Sequence, residues 1–195
     1  VSVRNSLLAV LTMGPAYGFQ LHGELARRTG GRRSVNVGQI YGTLERLIAQ
    51  DAVESAGSTA DGLPLYRLTE TGRTEALSWL HDTRSGSGDE WNDMLERVMI
   101  ASSLPHVDLA SVLDGYRSAW QSRLAARTAE PDSGQGLLAD AADAAQGRAA
   151  LAWLSVVAGL AGDQGTGPSM HRELSALRPK RGRRPAPAVS ARPHR

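Results

Sequence analysis

The hydrophobic positions of the first eighty residues fall into short helical stripes broken by glycine and proline. Val3, Leu7, Leu8, Val10 and Leu11 predict an apolar helix over 3–13, stopped at Gly14-Pro15. Phe19, Leu21, Leu25 and Ala26 space a short amphipathic helix from Gly18 to about Arg28. Thr29-Gly30-Gly31 ends it, because glycine accepts the left-handed cap conformation. Over 37–50, Ile40, Leu44, Leu47 and Ile48 recur at i, i+4, i+7 and i+8 and predict one buried stripe, with Asn36 at the capping position. The period then changes. Residues 52–55 and 65–68 are strand-like, and Asp61-Gly62 between them is a turn signal. A fourth helix opens at Thr69-Glu70-Thr71-Gly72 and runs to about Asp82.

Residues 84–89 are rich in glycine and serine and read as a linker. Beyond it the pattern is helical: 90–103, about 109–129 after the Pro105 break, about 137–161, and a short helix over 169–177. From Pro179 onward the chain is basic and rich in proline and alanine, a composition that favours disorder. The expected fold is mainly α with a small β-hairpin. It comprises a winged helix-turn-helix over 1–83, the linker, an all-helical dimerisation and effector domain over 90–177, and a basic tail over 178–195.

Charge sharpens this division. Residues 1–84 carry 9 basic and 8 acidic side chains, residues 85–173 carry 6 and 12, and residues 174–195 carry 7 and none. The middle of the chain repels a polyanion, so nucleic-acid contacts are expected at the two ends. The chain has no cysteine, which excludes disulfides and Cys-ligated zinc. With no basic leader and no apolar run approaching a bilayer's thickness, a cytoplasmic location without membrane contact is expected. The five histidines are scattered without metal-ligand spacing, and there is no phosphate-binding glycine-rich loop, so neither a cofactor nor an enzyme activity is expected.

Helix 37–50 is the candidate reading element. If its aliphatic stripe is buried, Gly38, Gln39, Tyr41, Gly42, Thr43 and Arg46 fall on other faces. Gln39 suits adenine, Thr43 a thymine methyl, and Arg46 a guanine or a phosphate. Arg32, Arg33 and Asn36 precede the helix, and its N-terminus attracts phosphate. The same residues also suit the solvated face of a small helical domain.

Three blocks carry a family resemblance: Leu7–Leu11 with Gly14-Pro15-Ala16-Tyr17-Gly18-Phe19-Gln20-Leu21; Val37-Gly38-Gln39-Ile40-Tyr41 with Leu44 and Arg46-Leu47; and Tyr66-Arg67-Leu68-Thr69-Glu70-Thr71-Gly72. In this order and at these separations they resemble the PadR family of transcription regulators, and the helical remainder is similar to its longer subfamily. Two positions depart from the family pattern. Phe19 stands where a tyrosine is usual, so Tyr17 becomes the candidate for a contact to the DNA backbone. Gly42 replaces a usual proline. The resemblance implies repression from a pseudo-palindromic DNA operator by a homodimer, a wing at 56–64 touching the duplex with Arg67 as its nearest cation, and release by an aromatic or drug-like small molecule. A wing that only closes the fold is the other reading.

In the helical half, Trp91, Met94, Met99, Trp120 and Trp153 are the candidate lining of an effector pocket, since aromatic side chains between helices suit flat apolar ligands. Packing in a dimer core is the competing reading. Lys180-Arg181-Gly182-Arg183-Arg184 reads either as a phosphate-binding arm or as a dispensable terminus. The rival to a regulator is a dimeric winged-helix protein that sequesters a small molecule or docks on another protein.

Overall fold

The computed structural model describes residues 3–85, 88–126, 133–163 and 169–176. Helix α1 (Val3–Leu11) leads into a two-residue strand β1 (Ala16–Tyr17), then α2 (Gly18–Arg28) and α3 (Val37–Ala49). Strands β2 (Val53–Ser58) and β3 (Pro64–Leu68) precede α4 (Glu70–His81). The second half consists of α5 (Glu90–Ser102), α6 (Leu109–Ala125) and α7 (Gly134–Gly162).

The sheet is antiparallel in the order β1-β3-β2, with Ala16 opposite Tyr66 and Val53 opposite Leu68. The hairpin runs longer than its strand-like sequence, and its register slips between Ser55 and Ser58, where Gly57 takes a φ of +85°. Strand β1 was not legible in the sequence. Two residues carry no alternation, and their partner lies fifty positions away.

One core fills the space between α1, α2, α3 and the sheet, built on Leu7, Leu8, Leu21, Leu25, Ile40 and Leu44. A second lies among α4–α7 on Met94, Val98, Ile100, Tyr116, Trp120 and Leu154, and Ala9 of α1 belongs to it. Helix α1 is thus a wall common to both cores, and the two halves are packed together.

The close approach of α4 to the start of the hairpin depends on Gly72. A β-carbon there would stand 1.8 Å from the Ala52 carbonyl oxygen. That oxygen accepts from the Thr69 amide at 3.2 Å, while the Thr69 hydroxyl caps α4 by accepting from the Gly72 amide at 3.1 Å.

Several sequence expectations are corrected. The buried face of α3 consists of Ile40, Thr43, Leu44 and Leu47, whereas Ile48 is 44% exposed. At 100° per residue, position 48 lies at the margin of the arc centred on Ile40 and Leu47, so the edge of the stripe was misplaced by one residue. Residues 169–176 form no helix; they run extended along α2. Within 84–89, Arg84 pairs with Asp82, the Ser85 hydroxyl donates to Asp93, and Asp89 caps α5, so the described part of this connection is tied down. Helix α7 contains an 18-residue window of mean hydropathy 1.2 and is long and apolar enough to cross a membrane, contrary to expectation. Its apolarity comes from leucine, valine and alanine, which are spread around the helix. Length and composition alone do not separate a bilayer span from a helix that meets other helices. The basic tail lies outside the described residues.

Candidate nucleic-acid interface

Helix α3 is held at its start by Asn36, whose Oδ1 accepts from the Gln39 amide at 2.7 Å. The side chain expected to meet DNA is therefore occupied as a cap. Behind the helix, Thr43 is 4% exposed and its hydroxyl donates to the Gln39 carbonyl at 2.7 Å, so the threonine placed on the reading surface by its sequence position faces inward. The outward face has Gly38, Gly42 and Glu45 along its middle, Gln39 and Arg46 on one flank and Tyr41 on the other. The two glycines leave this face flat. Nothing lies within 4 Å of where a Gly42 β-carbon would stand.

Arg46 lies back along its own helix, donating from Nε to the Gly42 carbonyl at 3.0 Å and from Nη2 to the Thr43 hydroxyl at 3.1 Å. With Arg4, Arg33, Gln39 and Gln50 it lines a cleft of about 390 Å³ beside α3. Arg4 is paired with Glu75 at 2.7 Å, and Arg33 with Glu96 at 3.6 Å. Arg32 donates to Asn92 at 3.4 Å. The arginines expected to hold phosphates thus tie the α2–α3 connection to α5.

Tyr41 and Gly18 place α2 against α3. A β-carbon on Gly18 would come within 2.6 Å of the Tyr41 ring. The phenols of Tyr41 and Tyr66 and the Glu45 carboxylate lie close enough to act on one another. The Tyr66 phenol is pushed up by partial burial first, then by Tyr41 and Glu45. Tyr17 is 5% exposed in β1, so little of its ring is available to a duplex. On the hairpin, Arg67 pairs with Glu54 across the strands at 2.7 Å, and Asp61 accepts from the Thr59 hydroxyl at 2.6 Å.

In the helical half, four of the five candidate effector residues come together around the N-terminal end of α5. The Trp120 indole N–H donates to the Met94 sulfur at 3.1 Å, and both residues are buried. Trp91 and Trp153 meet at 6.4 Å between ring centroids, tilted. Beside Trp120 is a cavity of about 240 Å³ with a polar lining that includes Glu90, Arg123, Asp143 and Gln146. The Arg123 guanidinium lies 4.9 Å from the Trp120 ring centroid and pairs with Glu90. Met99 stands apart from this cluster, facing Gly30 and the end of α2. No group of residues suited to a metal ion occurs among the described residues.

Comparison with known proteins bears on the first half of the chain. Residues 7–77 match the transcriptional regulator PadR-like family. This segment is a PadR-like domain. It runs from the middle of α1 into α4 and contains α3 and both strands of the hairpin, while α5–α7 lie beyond it. No curated protein matches the sequence. Among solved structures, Bacillus subtilis PadR in complex with operator DNA is similar at 17% identity and a TM-score of 0.40, over 79% of this chain and 94% of that one. The same Bacillus subtilis protein in complex with p-coumaric acid is similar at 20% identity and a TM-score of 0.34, over 80% and 95%.

Within the PadR-like domain the sequence reading overlooked Glu45. It follows Gly38 by seven residues and Gly42 by three, so the helical period that placed those glycines outward also places this carboxylate there. An acidic side chain in that position can accept from a cytosine amino group.

Proposed function

We propose that the chain is a transcription repressor that binds a pseudo-palindromic operator as a homodimer and is released by an aromatic or drug-like small molecule. The observation that carries the reading is the outward face of α3, on a PadR-like domain: a flat Gly38–Gly42 track flanked by Gln39 and Arg46. A helix without side chains along the middle of its N-terminal half can lie deep in the major groove there, with its flanking polar groups at the base edges. Arg46 has only its own helix to leave when a guanine or phosphate is offered. Arg32 and Arg33 contribute indirectly, by fixing the approach of α3 to the helical half.

Dimerisation is supported by the second face of α7. Leu138, Ala142, Ala145, Ala149, Ala152, Val156 and Leu160 recur at helical spacing and are all exposed, on the side away from the stripe that α6 covers. Small residues let a second helix approach closely, and the leucines and valine provide apolar area. An effector site is supported by the cavity beside Trp120, whose indole offers an aromatic face to a flat ligand.

The paired state of Arg4, Arg33 and Arg67, with Glu45 central on α3, favours a second reading: a winged domain that docks on a protein. Fluorescence anisotropy with the DNA upstream of the protein's own gene, against a shuffled duplex of equal length, separates the two. Tight binding to the native duplex alone supports the repressor. Equal, weak binding to both removes it.

A further inference from the structure

The outward face of α3 is bare except for one carboxylate. Gly38, Gly42 and Ala49 supply at most a methyl group along its middle, and the exposed Glu45 stands among them as the one long side chain. Nothing on the helix neutralises it. The positions one turn away on either side are Tyr41, Gly42, Ile48 and Ala49, none of them basic. Arg46, next in sequence, turns back to the Gly42 carbonyl at 3.0 Å and the Thr43 hydroxyl at 3.1 Å. On the hairpin, Arg67 is taken by Glu54 at 2.7 Å. Among the described residues no cation pairs with Glu45. Its charge reaches instead toward the Tyr66 phenol, which burial first, then Tyr41 and Glu45, push up.

A bare carboxylate facing a duplex is a filter. Every phosphate repels it, so it lowers affinity for DNA in general. In the major groove it can accept only from an amino group, that of cytosine or that of adenine. Guanine N7 and O6 and thymine O4 are acceptors themselves, and against them the carboxylate loses its water and gains nothing. Adenine sets its N7 acceptor directly beside its amino group, whereas the cytosine edge carries the donor alone. An ionised carboxylate accepts and cannot donate, so it favours cytosine of the two. The repulsion is thus compensated at one base and kept at the others, which is specificity drawn from a repulsive group.

We propose that Glu45 selects a cytosine in each operator half-site and rejects duplexes that lack it. The proposal rests on the DNA-binding reading above and adds to it the identity of one base. The small residues on either side of Glu45 let the helix seat deeply enough for a side chain of this length to reach a base edge. A protein partner presenting a cation would need no such flat approach. Gln39 lies six residues earlier, about 9 Å along the helix axis, so both side chains can act within one half-site.

Three full-length chains test this: the wild type, Glu45→Gln and Glu45→Ala. The side chain is exposed and packs in neither core, so matching thermal melts are expected and establish that the three fold alike. Each chain is put through repeated selection from a pool of random duplexes. Affinities for the enriched duplex and for a mixed-sequence duplex are then measured by anisotropy at one salt concentration. The wild type is expected to enrich an invariant C·G pair in each half-site, and changing that pair should weaken it roughly tenfold or more. Glu45→Gln should move the preference at that pair toward adenine, whose N6 and N7 suit an amide. Glu45→Ala should lose the preference and bind the mixed-sequence duplex several-fold more tightly than the wild type does. Enrichment of the same bases at every position by all three chains overturns the role of Glu45 while leaving the repressor reading intact. A wild type that enriches no sequence and binds every duplex alike removes the repressor reading and this one with it.

Discussion

The phenol ring of Tyr41 rests on the α-carbon of Gly18, closer than any side chain at that position would allow. This contact sets how the first helix of the turn motif meets the reading helix. The ring is partly exposed, so it can swing aside at little cost to folding. Gly18→Ala is therefore expected to leave the melting temperature within a few degrees of the wild type. It should weaken operator binding, because the displaced Tyr41 ring moves across the flank of the outward face of α3. Unchanged affinity in an anisotropy titration would show that the ring's position is irrelevant to DNA.

Gly42 makes the opposite prediction for stability. Its missing β-carbon faces open space in mid-helix, and glycine there costs about 1 kcal/mol against alanine. Gly42→Ala should raise stability toward urea by roughly that amount while reducing DNA affinity, since the methyl stands between α3 and the base edges. A variant that is both more stable and equally tight on DNA would locate the duplex elsewhere.

Gly72 tolerates no such change. A methyl 1.8 Å from the Ala52 oxygen must separate α4 from the start of the hairpin. Gly72→Ala is expected to cost about 3 kcal/mol, at the upper end of overpacking effects, read as a fall in the urea midpoint. A shift smaller than one third of that would mean the helix slides away freely.

Tyr116 gives the pH dependence. Its hydroxyl is buried without a hydrogen-bond partner, and burial pushes the phenol up to about 12 from 10, with the nearby Arg97 opposing. Because the folded value is the higher one, this stability is fully present below pH 10 and is lost as pH rises from 10 toward 12. Tyr116→Phe should flatten that alkaline loss without altering the fold at pH 7. Parallel stability curves for the two proteins between pH 9 and 12 would contradict it.

On α7, Val156 is 59% exposed on the aliphatic face that points away from its own chain. Val156→Glu is expected to halve the mass measured by sedimentation and to lower operator affinity at nanomolar protein, with near-UV and far-UV spectra retained. A wild-type chain that sediments as a monomer at tens of micromolar would leave this face without a second copy.

The winged domain was legible because its signals are local. Gly14-Pro15, Thr29-Gly30-Gly31, the Asn36 cap and the Thr69 cap each mark a boundary through the preferences of one or two residues. What escaped depends on distant partners. Whether Thr43 or Ile48 is buried is settled by what α1 and α2 bring to the edge of the stripe. Arg32 and Arg33 look like free cations until α5 brings Asn92 and Glu96 to them. Residues 169–176 include apolar and polar residues compatible with a short helix. The segment stays extended because its backbone hydrogen bonds go to side chains of α2 and to Ser103, which no window of the sequence contains.

Arg28 donates to Glu24, to the Ser103 carbonyl and hydroxyl, and to the Arg172 carbonyl, joining three stretches of chain in a spot closed to water. Any rotation of the reading head against the helical half must strand this guanidinium or find it an equivalent set of acceptors. Intermediate angles offer neither. On the proposed reading, a small molecule acts by favouring one discrete arrangement of these acceptors over another.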